Sequence, residues 1–312
     1  MDLTMPRWLI YCFLTILCFG VWAVTFKLLQ SQEVSAGQSQ ALCTVGIVPI
    51  MLVLAASPSW RMGGRKLRGS FWSFVAGVLV GVGNLAYFLA QDAGAKATTG
   101  VSLSMLYPAA TVVLALLFLK ERLQAVQALG IAASLVAIYL LNVSESGEMF
   151  SAWMLYALAP IALWGVAGLI QKVATGDVAA EVATFWFLTA FIPLGVALYF
   201  RERFDWNLSA TSWFLVTLQG ATYGLGNLSL LAAFRNGGQA SIVARLSGLY
   251  PVVAIPLAIL LFHENVGPRE WAGIALAVAA GVALSWEPKK MPADSNALAL
   301  THTAEPTEHC PP

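Results

Sequence analysis

The side chains best placed for chemistry lie inside apolar stretches: Trp22, Asn84, Tyr87, Ser104, Tyr107, Trp164, Asn227, Arg245, Ser247 and Tyr250. Asn84, Tyr87 and Gln91 stand at i, i+3 and i+7, so a helix aligns them on one face. An amide in an apolar medium is costly without a partner, so this face and Asn227 must meet protein, water or solute. Tyr107 and Tyr250 each precede a proline, Pro108 and Pro251, which removes a ladder hydrogen bond and bends a helix. A phenol beside a freed carbonyl suits either a solute or a neighbouring helix. Ser104 and Ser247 carry less weight, because a hydroxyl can bond its own helix. Trp22 and Trp164 could stack on a flat or cationic solute. Arg245 either grips a carboxylate or phosphate bidentately or snorkels to the nearer surface.

This is binding chemistry without catalytic partners. His302 and His309 lie near the C-terminus, and His263-Glu264 lacks the second His of a zinc-protease helix. No glycine loop suits a nucleotide phosphate. Cys12, Cys18, Cys43 and Cys310 are not spaced as metal ligands or a redox pair. Neither an enzyme nor a cofactor or metal is expected.

The elements that must position these residues follow from composition. The 312 residues are 59% apolar and 11% charged, against roughly 45–50% and about 25% in soluble domains. Charge-poor segments fall at 8–29, 37–56, 70–91, 97–119, 125–142, 152–174, 181–200, 212–234, 239–262 and 269–286. An all-α polytopic membrane protein of ten spans is therefore expected. The first span is too long for the core of a cleavable signal, and no small-x-small site follows it. Gly77, Gly81, Gly220 and Gly224 stand four apart and suit close helix packing; Gly94, Gly237 and Gly238 mark turns. Residues 287–312 lack apolar periodicity and read as a disordered tail.

Topology follows from Lys and Arg. With the N-terminus in the cytoplasm, the inner segments hold Arg7, Arg61, Arg65, Lys66, Arg68, Lys120, Arg122, Lys172, Arg235, Lys289 and Lys290, which is eleven. The outer segments hold Lys27, Lys96, Arg201, Arg203 and Arg269, which is five. That bias places both termini inside. The net charge of +1 does not suit nucleic acid. The expected partners are a small solute and membrane lipids, and a homodimer is compatible with the composition.

The sequence also repeats. A shift of 143 residues places Gly77-x-x-x-Gly81-x-Gly83-Asn84-Leu85 on Gly220-x-x-x-Gly224-x-Gly226-Asn227-Leu228, and Leu103-Ser104-x-Leu106-Tyr107-Pro108 on Leu246-Ser247-x-Leu249-Tyr250-Pro251. Glu121 then falls on Glu264, Gly130 on Gly273, and Ser102 on Arg245. Across 77–130 and 220–273 there are 18 identities in 54 positions without a gap. Repeats at 1–143 and 144–286 follow. Five spans per copy is odd, so the second copy enters the membrane inverted.

The paired Gly-rich segments, the Leu-Tyr-Pro pairs, Lys120-Glu121-Arg122-Leu123, Trp22 with Lys27, and Trp164 with Gln171-Lys172 resemble the EamA-type repeat of the drug/metabolite transporter superfamily. The resemblance covers about 8–286. It implies two inverted five-helix halves around a cavity lined by spans 1, 3, 4, 6, 8 and 9, and transport of a small metabolite, most often export. The expected function is secondary transport by alternating access in a bacterial inner membrane, for a solute that can carry an anionic group. The alternative is a flippase for a lipid-linked precursor. No mid-span carboxylate is expected, so a facilitator or exchanger is favoured over a proton-coupled carrier, with Glu121 or Glu264 as the fallback proton sites.

Overall fold

The computed structural model describes residues 6–61, 65–107, 109–110, 113–114, 125–142, 152–174, 176–236, 243 and 246–284. Arg245, Pro108, Glu121 with its flanking motif, Gly237, Gly238 and the segment 287–312 lie outside the described residues. Backbone groups in a bilayer must be satisfied within their own segment, and the described spans are accordingly helical. They form α1 (Arg7–Gln30), α2 (Ala36–Leu42), α3 (Thr44–Ala55), α4 (Lys66–Asp92), α5 (Ala97–Ser104), α6 (Ala125–Asn142), α7 (Ala152–Ala174), α8 (Ala180–Thr189), α9 (Phe191–Arg201), α10 (Ala210–Arg235), α11 (Pro251–Phe262) and α12 (Pro268–Leu284). Arg7–Gln30, Ala36–Ala55, Lys66–Asp92, Trp153–Gln171 and Ala180–Arg201 are each long and apolar enough to cross a membrane. Side chains such as Leu52, Phe200 and Leu260 face outward, as a lipid environment permits.

Three spans break. The second and seventh, expected as single helices, divide at Cys43 and Ala190. In the seventh, Pro193 has no N–H for the Thr189 carbonyl, so the ladder lapses beside Ala190. In the second, Pro49 leaves the Val45 carbonyl unpaired in the same way, two residues beyond the break. The ninth breaks where the Leu-Tyr-Pro pattern foretold: Gly248–Tyr250 form a turn and α11 resumes at Pro251.

Packing repeats the sequence duplication. α4 lies along α7, and its repeat counterpart α10 lies along α1; α4 also packs on α8 as α10 packs on α3. α6 and α12, counterparts of each other, pack together. The glycines explain how backbones approach so closely. A Cβ at Gly77 would strike the Phe187 carbonyl, and one at Gly220 would strike the Cys43 carbonyl. Gly130 abuts Ala283 and Leu284, while Gly273 abuts Leu140 and Leu141, which is the same contact displaced by 143 residues. The fold is two five-span repeats of opposite orientation.

The connections 31–35, 93–96, 202–209 and 263–267 share one end of the bundle, called here the capped end. Gly94 turns there at φ 104°, as its position between two spans suggested. His263 closes α11 in the left-handed region, φ 50° and ψ 38°, which turns the chain back toward α5.

Candidate functional site

A cluster of rings occupies the middle of the bundle. Trp22 of α1 stacks on Tyr87 of α4, with centroids 5.9 Å and planes 21° apart. It also meets Phe88 at 6.0 Å, Trp164 of α7 at 6.3 Å and Tyr223 of α10 at 5.4 Å. Tyr87 lies 6.3 Å from Trp164, and Tyr107 meets Trp164 edge-on at 6.1 Å. Small residues make room for these rings. The Trp164 indole occupies the space that a Cβ on Gly83 would take, and Phe19 does the same at Gly226, the repeat counterpart. Trp164 Nε1 donates to the Val80 carbonyl at 3.3 Å, which anchors its ring.

Polar groups rim the cluster. Tyr87 donates its hydroxyl to the Ala23 carbonyl at 2.8 Å, tying α4 to α1. Ser104 and Tyr250 share a hydrogen bond of 2.8 Å between α5 and the start of α11, joining the two halves. Asn227 donates to the Tyr223 carbonyl at 2.8 Å, one turn back on its own helix, and Ser247 donates to the Val243 carbonyl at 2.7 Å. The side chain of Ser247 thus makes a local bond. The Asn84 amide reaches the Tyr223 phenol, which leaves its Oδ1 buried without a hydrogen bond. Ser39 donates to Gln219 Oε1 at 2.9 Å, while Gln219 Nε2 and both amide atoms of Gln40 are buried without partners. An amide left so costs about 1–3 kcal/mol relative to a bonded one.

Trp22, Asn84, Tyr87, Ser104, Tyr107, Trp164, Asn227 and Tyr250 thus come together around one centre. Ser247 stands at its edge, and Arg245 lies outside the described residues. Sequence reasoning missed Tyr223, which touches Trp22, Phe19 at 6.2 Å and Phe191 at 5.2 Å. The signal was present: Gln219, Tyr223 and Asn227 stand at i, i+4 and i+8 and so share a helix face.

The capped end is closed by bonds between the halves. Glu264 accepts from the Ala97 N–H at 2.7 Å and the Thr98 N–H at 3.0 Å, so its carboxylate caps α5. An anion at a helix N-terminus is favoured by the unpaired N–H groups and the helix dipole. Lys96 pairs with Glu270 at 2.7 Å and donates to the Asn265 carbonyl at 2.8 Å. Gln38 donates to the Asp205 carbonyl at 2.6 Å, and Ser35 to Glu202 Oε2 at 3.1 Å. Lys27 donates to the Ala95 carbonyl at 3.2 Å, in the connection at the same end. Among the described residues, no Asp or Glu lies in the middle of a span, and no His, Cys, Asp and Glu cluster could hold a metal.

The EamA-like transporter family model matches the chain twice, over residues 6–143 and 151–286. The chain belongs to the EamA-like transporter family. It is an integral membrane protein of a family of small-solute transporters, not of enzymes. An uncharacterized protein of Methanocaldococcus jannaschii is 35% identical over 101 residues, which cover 32% of this chain and 72% of that one. Protein RarD of Streptomyces exfoliatus is 31% identical over 191 residues, 58% of this chain, and this chain spans only 56% of its length. A protein of known crystal structure shares the fold with a TM-score of 0.53 at 18% identity, over 88% of this chain and 94% of that one.

Proposed function

We propose that the chain is a secondary transporter that exports a small metabolite by alternating access, acting as a facilitator or exchanger in a bacterial inner membrane. The observation that carries this reading is the ring cluster: six spans from two inverted halves build it, and bonds between those halves close it at one end. Inverted halves give two arrangements of similar packing, so opening one end while closing the other needs no new fold. The Lys and Arg bias puts the capped end outside and both termini in the cytoplasm.

In this reading the indoles and phenols hold the flat or apolar part of the solute, and the surrounding amides and hydroxyls hold its polar groups. Arg245, which replaces the Ser102 of the first repeat, is the contact for an anionic group. The test is a thermal-shift screen of detergent-solubilised protein against L-glutamine, L-threonine, D-glucose, uridine, inorganic phosphate and citrate, repeated with Arg245→Ala, followed by counterflow in proteoliposomes. A stabilising solute that also exchanges supports the reading. An anion whose effect survives Arg245→Ala removes Arg245 from the site, and uptake that needs an imposed pH gradient removes the facilitator. Co-purified lipid in place of any soluble ligand favours a flippase.

A further inference from the structure

Two buried polar side chains of α4, Ser73 and Gln91, stand outside the ring cluster, and Gln91 lies at the end of the helix nearer the capped end. Gln91 is fully buried, and neither its Nε2 nor its Oε1 has a hydrogen-bond partner. Its backbone is held in place: its carbonyl accepts from Gln30 Nε2 at 3.4 Å and from the Gly94 N–H at 3.1 Å. The side chain projects from the same face as Asn84 and Tyr87, and its amide lies beside the Tyr87 phenol. That phenol already donates to Ala23 and packs edge-close to Gly100 of α5, where a Cβ would meet Tyr87 Cε2 at 3.4 Å.

Gln91 therefore sits between two places. Toward the bundle centre lies Tyr87 with the rings. Toward the capped end lies the first turn of α5, whose N–H groups hold Glu264. From Asn84 to Gln91 is roughly 10 Å along the helix at about 1.5 Å per residue. One helix face thus leads from the ring cluster to the seal, and it ends on an amide with both a donor and an acceptor unused.

We propose that Gln91 is an outer subsite, which hydrogen-bonds an uncharged group of the solute carrying a donor and an acceptor together, such as a carboxamide or hydroxyl, as the solute passes from the rings to the opened capped end. This rests on the transporter reading above. The amide chemistry sets the class: Nε2 donates, Oε1 accepts, and Gln91 brings no charge that would favour an ion. Only when the Glu264 cap parts does the subsite reach solvent.

Two measurements test this without knowledge of the natural solute. Gln91→Leu keeps the volume and removes the orphaned amide, so the solute-free protein should melt about 2–4 °C higher. A lower melting temperature would mean that the amide holds the fold together, and the subsite would be lost. In the second, a Gln91→Cys variant with the four native cysteines replaced is reconstituted in liposomes and treated from outside with a membrane-impermeant thiosulfonate. Labelling within tenfold of the exposed Asn207→Cys control, and slow labelling of buried Ala76→Cys, supports an intermittently open route; labelling of Gln91→Cys as slow as Ala76→Cys overturns it. The solute class is read from L-glutamine, L-threonine, D-glucose and uridine. A neutral compound that stabilises the wild type should bind at least tenfold more weakly to Gln91→Leu, with partial recovery in Gln91→Asn. If only phosphate or citrate binds, the neutral class is wrong while transport stands; if nothing binds or exchanges, both readings fall.

Discussion

The capped end and the middle of the bundle treat polar groups in opposite ways. At the capped end, Glu264, Lys96, Gln38 and Ser35 each reach across from one half to the other and find a partner. In the middle, and between it and the capped end, rings fill the space and several amide atoms, those of Asn84, Gln40 and Gln91 among them, are buried without one. The physical reason lies in what can replace each bond. A carboxylate or ammonium at the membrane surface can exchange its partner for water at small cost, so such bonds can break and reform in every cycle. An amide in the interior has no such reserve and stays unpaired until a solute or water arrives. On the proposed reading, the end is the closure and the middle the recognition surface.

The largest test of this contrast removes a ring. Trp164→Ala withdraws the indole from the Gly83 notch and from Trp22, Tyr87 and Tyr107. A loss of roughly 3–5 kcal/mol is the usual consequence of emptying such a site, and we expect a fall in melting temperature of several degrees together with at least tenfold weaker solute binding. If binding is unchanged, the rings are core packing alone.

Glu264→Gln should act on the closure and leave recognition intact. The amide retains one acceptor for Ala97 and Thr98 but loses the charge that favours a helix N-terminus, a change of about 0.5–2 kcal/mol. We expect thiol labelling of Thr98→Cys from outside to accelerate by up to about tenfold, with solute affinity in detergent little changed. An unchanged labelling rate would show that the cap does not control the opening.

Tyr250→Phe removes the bond to Ser104, worth about 1 kcal/mol. Because this bond joins the halves near the rings, a double-mutant cycle with Ser104→Ala should show coupling of that order in melting experiments; strict additivity would mean that the two hydroxyls do not depend on each other. The smallest effect belongs to Lys96→Met. Its ion pair with Glu270 is partly exposed, so the cost should stay well under 1 kcal/mol and shrink further in high salt.

Much of the fold was legible from the chain alone, for reasons specific to membranes. α1, α6 and α7 begin and end within a residue of the charge-poor segments, because a span must be apolar across the bilayer and its limits appear as charge or turn residues. The breaks at Cys43 and Ala190 were not legible, although Pro49 and Pro193 were in view, since a proline in a membrane helix can be absorbed by its neighbours as easily as it can divide the span. The site was legible in part. Trp22, Tyr87 and Trp164 were named as candidate solute contacts, whereas Tyr223 was not, because it has Val80 and no tyrosine as its counterpart in the first repeat. Ser247 looked equal to Ser104 in sequence. Ser104 bonds the Tyr250 phenol, whereas Ser247 bonds the Val243 carbonyl of its own segment.

What the sequence determined by itself is the architecture: an apolar composition compels helices that satisfy their own backbones, and an odd-numbered duplication compels inversion. What only the tertiary structure decided is which polar groups find partners. Whether Glu264 meets the first turn of α5, and whether the Gln91 side-chain amide is left without a hydrogen-bond partner, depends on contacts between residues at least 60 positions apart in sequence or on their absence. Hydrogen bonds act over about 3 Å, and no local pattern of residue types specifies distances on that scale between separate helices.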